Sequence, residues 1–115
     1  MLRVAMLGAG RIGKIHAANI AADRRPNWWW SPIHTRMRLK PSPRSLAALP
    51  RWDCASAIER EDVDAVLICT PTDTHVDLML RAVKLGKPVL CEKPIDLEIE
   101  RARAAVELVE KTFRP

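Results

Sequence analysis

The 115-residue chain has no tyrosine, a single phenylalanine and four glycines. No apolar run approaches the roughly 18 residues that a membrane-spanning helix needs. The N-terminus has no basic region leading into a long apolar stretch, so no secretory leader is expected. Cysteine is scarce: Cys54, Cys69 and Cys91 are odd in number and lack metal-ligand spacing. They read as reduced thiols of a cytoplasmic protein, with no metal site. There is no internal repeat. Acidic residues are missing altogether from Arg24 to Trp52.

That last absence explains the charge. The net charge of +5 suggests a nucleic-acid partner until it is mapped. Arg24, Arg25, Arg36, Arg38, Lys40, Arg44 and Arg51 all lie in the acid-free stretch, and without these seven the net charge falls to −2. The same stretch holds all four tryptophans and five of the nine prolines. Basic character therefore belongs to one segment, compositionally foreign to both flanks. Elsewhere, 48% hydrophobic residues exclude a chain disordered throughout, and the length allows one domain with one core.

Outside that segment the pattern is regular. Leu2 to Leu7 is a short apolar run ended by Gly8, as in a buried strand. Arg11 to Ala22 follows a helical period, with Ile12, Ile15, Ala18 and Ala22 on one side. Residues 24–54 show neither period and are read as irregular. Ser56 to Arg60 makes a helical turn, and Asp64 to Cys69 a second buried strand. Val76, Met79, Leu80 and Val83 stripe the next helix, which Asp73 or Thr74 can cap and Gly86 and Pro88 end. Pro88 to Cys91 is a third strand. Asp96 can cap a last helix lined by Ile99, Ala102, Val106, Val109 and Phe113. Buried strands alternating with amphipathic helices predict an α/β fold, a doubly wound parallel sheet of the Rossmann type.

Three motifs carry chemistry, each at the end of a predicted strand, where such sheets bind ligands. The first is Gly8-Ala9-Gly10-Arg11-Ile12-Gly13, a G-x-G-x-x-G between strand and helix. Gly8 permits the turn, Gly10 lets a pyrophosphate approach the backbone, and Gly13 lets helix and strand pack closely. The helix N-terminus, including Arg11 and Ile12, supplies N–H groups to the phosphates. The second is Thr70-Pro71-Thr72-Asp73-Thr74-His75. Here Thr70 and Thr72 can hydrogen-bond ribose or phosphate, and His75 either does the same or packs inside. The third is Glu92-Lys93-Pro94. Its lysine can hydrogen-bond the nicotinamide ribose or assist proton movement at a substrate hydroxyl, or it is simply solvated.

The fingerprint also calls for an acid about 20 residues beyond the glycines, to hold the adenosine ribose. Counting from Gly13 reaches Ile33. The genetic code supplies a reason. Asn27-Trp28-Trp29-Trp30 before a TCN serine must be AAY TGG TGG TGG TCN. Read one base earlier, it gives Leu-Val-Val-Val, and the next shifted codons permit Ala-Asp-Pro-Tyr-Pro-Asp, with the first aspartate at position 33. Residues near 27 to 54 thus read as an out-of-frame translation, the alternative being a genuine Trp/Pro/Arg-rich insertion. Loss of the second strand would expose the edge of the first and leave an aggregation-prone chain.

MLRVAMLGAGRIGKIHAANIAA and VDAVLICTPTDTHVDLMLRAVKLGKPVLCEKPIDL together resemble the N-terminal domain of the Gfo/Idh/MocA oxidoreductases, the glucose–fructose oxidoreductase and inositol 2-dehydrogenase family. GAGRIGKIHA, TPTDTH and CEKPIDL are most similar to the inositol 2-dehydrogenases. The resemblance implies NAD as cofactor, with NADP the alternative, and hydride transfer between a polyol or sugar alcohol and C4 of nicotinamide. It implies Lys93 as a catalytic residue near the reacting hydroxyl. It implies cofactor contacts from Gly8, Gly10, Arg11, Ile12, Gly13, Thr70, Pro71, Thr72, His75, Glu92 and Lys93. It also implies a second domain holding the substrate, the acid–base Asp and His, and often the oligomer contacts. Residues 1–115 correspond to the dinucleotide-binding domain alone, so the chain reads as inactive by itself.

Two other readings stand beside this one. A stand-alone dinucleotide-binding module needs an intact ribose clamp. A nucleic-acid binder would use the Arg/Trp segment and shows a steep salt dependence; it ranks last. Sequencing the coding DNA across codons 20 to 60 is expected to reveal a one-base slip near codon 27. DNA that confirms every residue would instead make the Trp/Arg segment an inherited feature.

Overall fold

The computed structural model describes residues 2–22, 28–33 and 53–112. Four parallel strands form one sheet: β1 (Leu2–Leu7), β2 (Trp28–Ile33), β3 (Ala65–Ile68) and β4 (Val89–Cys91), in the order β2-β1-β3-β4. Between and after them come α1 (Arg11–Ala22), α2 (Cys54–Glu59), α3 (His75–Lys84) and α4 (Ile99–Thr112). The chain leaves β1 toward β2 on one side and returns to β3 on the other. The order therefore reverses between β1 and β3, the point at which doubly wound sheets open a ligand crevice. The expected fold class is the one observed.

Period-two alternation splits the core in two. Ala5, Leu7, Val66 and Ile68 face one layer, with Ala57 and Ile58 of α2, Val76, Met79, Ala82 and Val83 of α3, and Ala105 of α4. Val4, Met6, Leu67 and Cys69 face the other, where Ala17 and Ile20 of α1 cover them. Leu7, Ile58 and Ile68 are fully buried, each contributing about 1.5–3 kcal/mol.

The segment read as irregular contains a strand. Trp28 to Ile33 runs beside β1 in continuous register from Leu2↔Trp28 to Leu7↔Ile33. Tryptophan and isoleucine suit a pleated surface. Pro32 is tolerated because β2 is the outer strand here, so its missing N–H need not break a ladder. The edge of β1 is thus covered, and the expectation of a lost second strand is corrected. The remainder of the basic segment lies outside the described residues.

Helix faces and caps also differ from expectation. In α1 the inward residues are Gly13, His16, Ala17 and Ile20, whereas Ile12 and Ile15 are exposed. In α4 the inward residues are Ala102, Ala105 and Val109, and Ile99 is 70% exposed. Phe113 lies outside the described residues. Asp53 caps α2 by accepting Ser56 N–H at 3.0 Å, which starts the helix at Cys54 rather than Ser56. A 3₁₀ turn over Thr72–Thr74 precedes α3, and neither Asp73 nor Thr74 caps that helix through its side chain. Asp96 accepts Glu98 N–H and Arg101 Nε–H, closing the turn ahead of α4.

At the amino edge of the sheet, Arg3 ties β1 to β3. Its backbone N–H and Nε–H donate to Asp64 Oδ2 at 2.7 and 3.0 Å, and Nη2–H to Oδ1 at 2.8 Å. The guanidinium holds the Asp64 carboxyl down at about 2, against an ordinary value of 3.8. A carboxyl depressed on folding stabilises the fold above its unfolded value, and that contribution disappears as pH falls through the folded one. Asp64→Asn is therefore expected to flatten the loss of stability between about pH 4 and 2, followed as the urea midpoint against pH. An unaltered acid limb would refute the assignment.

Candidate functional site

The first turn is built by exclusion of side chains. Gly8 has φ +92°, and a Cβ there would lie 2.6 Å from Cys69 O. A Cβ on Gly13 would lie 2.3 Å from Gly8 O. Only glycine lets β1, β3 and the start of α1 meet this closely. Gly10 differs: among the described residues nothing stands within 4 Å of where its Cβ would be. Open space at the middle glycine, between two crowded ones, suits a group seated directly on the backbone. Lys14 N–H donates to Gly10 O at 3.0 Å, so α1 begins there. The N–H groups of Arg11, Ile12 and Gly13 then have no acceptor within the helix and can serve an anion. Arg11 and Ile12 are exposed around this opening.

The second loop leaves β3 next to it, and Cys69 N–H donates to Leu7 O at 2.7 Å. Pro71 is exposed and Thr72 half-buried. The Thr74 hydroxyl donates to Pro71 O at 2.6 Å and lies 2.7 Å from Thr70 Oγ1, so the loop's hydroxyls brace each other. His75 is only 2% exposed. Its Nδ1 lies 2.8 Å from Pro94 O and its Nε2 2.8 Å from Thr70 O. Both ring nitrogens face backbone carbonyls. A neutral imidazole donates to one of them at a time, a protonated one to both. Of the two expectations for His75, the packed one matches this geometry: the ring joins the second loop to the third and offers no nitrogen to a ligand.

The third loop follows β4, with Glu92 N–H donating to Ile68 O at 2.9 Å. Glu92 Oε1 lies 2.5 Å from His16 Nε2 of α1, and Oε2 accepts Lys93 N–H at 3.3 Å. The His16 hydrogen bond pulls the Glu92 carboxyl below its ordinary value. The Lys93–Pro94 peptide is cis, and Lys93 is exposed. Cys69 and Cys91 stand behind the loops; burial, with Glu92 nearby, pushes both thiols up to about 11, so neither is a ready nucleophile. Sequence reading missed His16. Its signal was its place three residues after Gly13, on the side that Gly13 turns inward.

The structure thus gathers the glycine turn, the Thr70–Thr72 loop and Glu92–Lys93 along the carboxyl edge of β1, β3 and β4. Position 33 joins them from the other side, paired with Leu7 at the end of β2. A parallel sheet with this turn at its switch point defines a dinucleotide-binding α/β domain.

Comparison with known proteins agrees. The profile of the Gfo/Idh/MocA oxidoreductase family, NAD-binding Rossmann fold, matches residues 2–114, and the chain belongs to that family. It is 41% identical to the inositol 2-dehydrogenase of Rhizobium meliloti and 34% identical to the scyllo-inositol 2-dehydrogenase (NAD(+)) of Bacillus subtilis. In each case the match takes in 96% of this chain and 33% of the relative. A crystal structure of a myo-inositol dehydrogenase from Corynebacterium glutamicum superposes with a TM-score of 0.73 at 40% identity, over 97% of this chain and 34% of that one. The chain spans about a third of the length of these relatives.

The two inner glycines respond differently to a methyl group. Gly13→Ala forces backbone against backbone and is expected to cost about 1–3 kcal/mol or more of stability. Gly10→Ala meets open space and should leave the melting temperature within about 2 °C of the parent. Thermal unfolding of both variants checks this; equal losses would contradict the reading of the turn.

Proposed function

We propose that this chain is the cofactor-holding domain of a dehydrogenase that oxidises a cyclic polyol of the inositol class with NAD. The observation that carries this reading is the glycine turn, closed at Gly8 and Gly13 and open at Gly10 above the start of α1. The dehydrogenases among its relatives support the substrate class. When bound, nicotinamide supplies a hydride acceptor at C4.

This chain's residues hold and orient that cofactor. The N–H groups of Arg11, Ile12 and Gly13 receive the pyrophosphate, and Gly10 keeps the approach clear. Thr70, Pro71 and Thr72 form the wall beside it. Lys93 serves the nicotinamide ribose and the substrate hydroxyl, where an ammonium favours a developing alkoxide. The resemblance to the family implies that the acid–base groups and the rest of the substrate pocket come from the part of the relatives outside the matched third, so turnover would require that part. At position 33 the chain offers isoleucine where a ribose-binding carboxylate is expected, which weakens affinity and the preference for NAD over NADP.

Titration of NADH and NADPH into the whole chain tests the reading. Saturable NADH binding is expected, weakened at least about tenfold, or ~1.4 kcal/mol, in Gly10→Ala. Ile33→Asp should tighten NADH but not NADPH, whose 2′-phosphate repels a carboxylate. Absence of saturable binding, or equal binding by Gly10→Ala, would falsify the proposal.

A further inference from the structure

Lys93 stands between two residues that are each held by a histidine, one from either layer of the domain. On the α3 side, His75 fixes Pro94 through its carbonyl at 2.8 Å. On the α1 side, His16 reaches Glu92 Oε1 at 2.5 Å, while the second carboxylate oxygen accepts the Lys93 N–H. His75 is fully buried and forms the fixed jaw. His16 and Glu92 are 28% and 24% exposed, so their bond sits at the rim of the site, where solvent only partly screens it.

His16 also sits on the helix whose first turn receives the phosphates. Gly13 is locked against Gly8, and His16 follows three residues later on the same inward side. The helix that seats the pyrophosphate is therefore tied, through one side chain, to the loop that presents the lysine. Ile20, one turn further along, lines with His16 a shallow apolar groove of about 410 Å³ over Leu67 and Val89, and among the described residues that line it His16 carries the one polar side chain.

We propose that His16 is a positioning residue for Lys93: by engaging Glu92 it sets the third loop in register with the phosphate-binding helix. The proposal rests on the cofactor reading above. His16 touches neither cofactor nor substrate; it acts through Glu92. A glutamine at this position keeps an N–H donor for the carboxylate, whereas alanine removes it.

Two readouts on the whole chain test this. The first is the Lys93 amide resonance in ¹H–¹⁵N spectra without cofactor. The second is NADH affinity. His16→Ala is expected to displace the Lys93 resonance and to weaken NADH about tenfold, the scale of a lost hydrogen bond to a charged group. His16→Gln is expected to restore the resonance and to return affinity to within about threefold of the parent. An unmoved Lys93 resonance and unchanged affinity in His16→Ala overturn the proposal. Equal losses in alanine and glutamine variants mark His16 as packing only and overturn it as well. Failure of the parent chain to bind NADH overturns the cofactor reading instead, and is distinguished by being present before any substitution.

Discussion

A Cβ on Gly13 would stand 2.3 Å from Gly8 O, and one on Gly8 would stand 2.6 Å from Cys69 O. No side chain, however flexible, relieves a clash with backbone, so β1, β3 and the start of α1 can be assembled at this distance only with glycine at both positions. Much follows from that contact. It fixes how deeply α1 settles on the sheet and how it is rotated about its axis. Rotation then decides that Ala17 and Ile20 cover Val4, Met6 and Leu67, that Ile12 and Ile15 face outward, and that His16 points to the third loop.

The two edges of the sheet do different work. At the amino edge, the Arg3–Asp64 pair and Lys87, whose Nζ donates to Ile58 O and Arg60 O at 2.5 Å, fasten strands and helix ends to one another. At the carboxyl edge, backbone amides are left unpaired within α1, and the polar groups that do pair hold loops rather than strands. Stability and ligand chemistry are thus separated along the strand direction, as the parallel arrangement allows. The layers are unequal as well. Helices α2, α3 and α4 seal the face of Ala5, Leu7, Val66 and Ile68, while among the described elements α1 covers the opposite one, where Leu90 is 64% exposed.

The second strand shows tertiary context overruling local pattern. Five prolines and no apolar period made residues 24–54 unreadable as structure, yet Trp28 to Ile33 pairs residue for residue with β1. An outer position in a parallel ladder demands less of a strand than a central one: half of its backbone groups need no partner in the sheet. What the strand does not supply is a carboxylate at its end, and no pairing can replace that chemistry.

Strand and helix order, the parallel α/β class and the three strand-end motifs were legible from residues 1–23 and 55–112, because apolar runs, helical periods and a G-x-G-x-x-G are local signals. The roles of Gly8 and Gly13 were legible too, since lack of a Cβ has one use there. Tertiary structure alone decided which faces of α1 and α4 are buried. Alanine and glycine pack against backbone at short range, and so Gly13 and Ala105 displace the larger Ile12 and Ile99 from the interior. It also decided that His75 lies inside, where its carbonyl partners are 5 and 19 residues away in sequence. And it brought His16 to Glu92 across 76 residues, a contact that no spacing rule encodes because it exists only once helix and strand are packed.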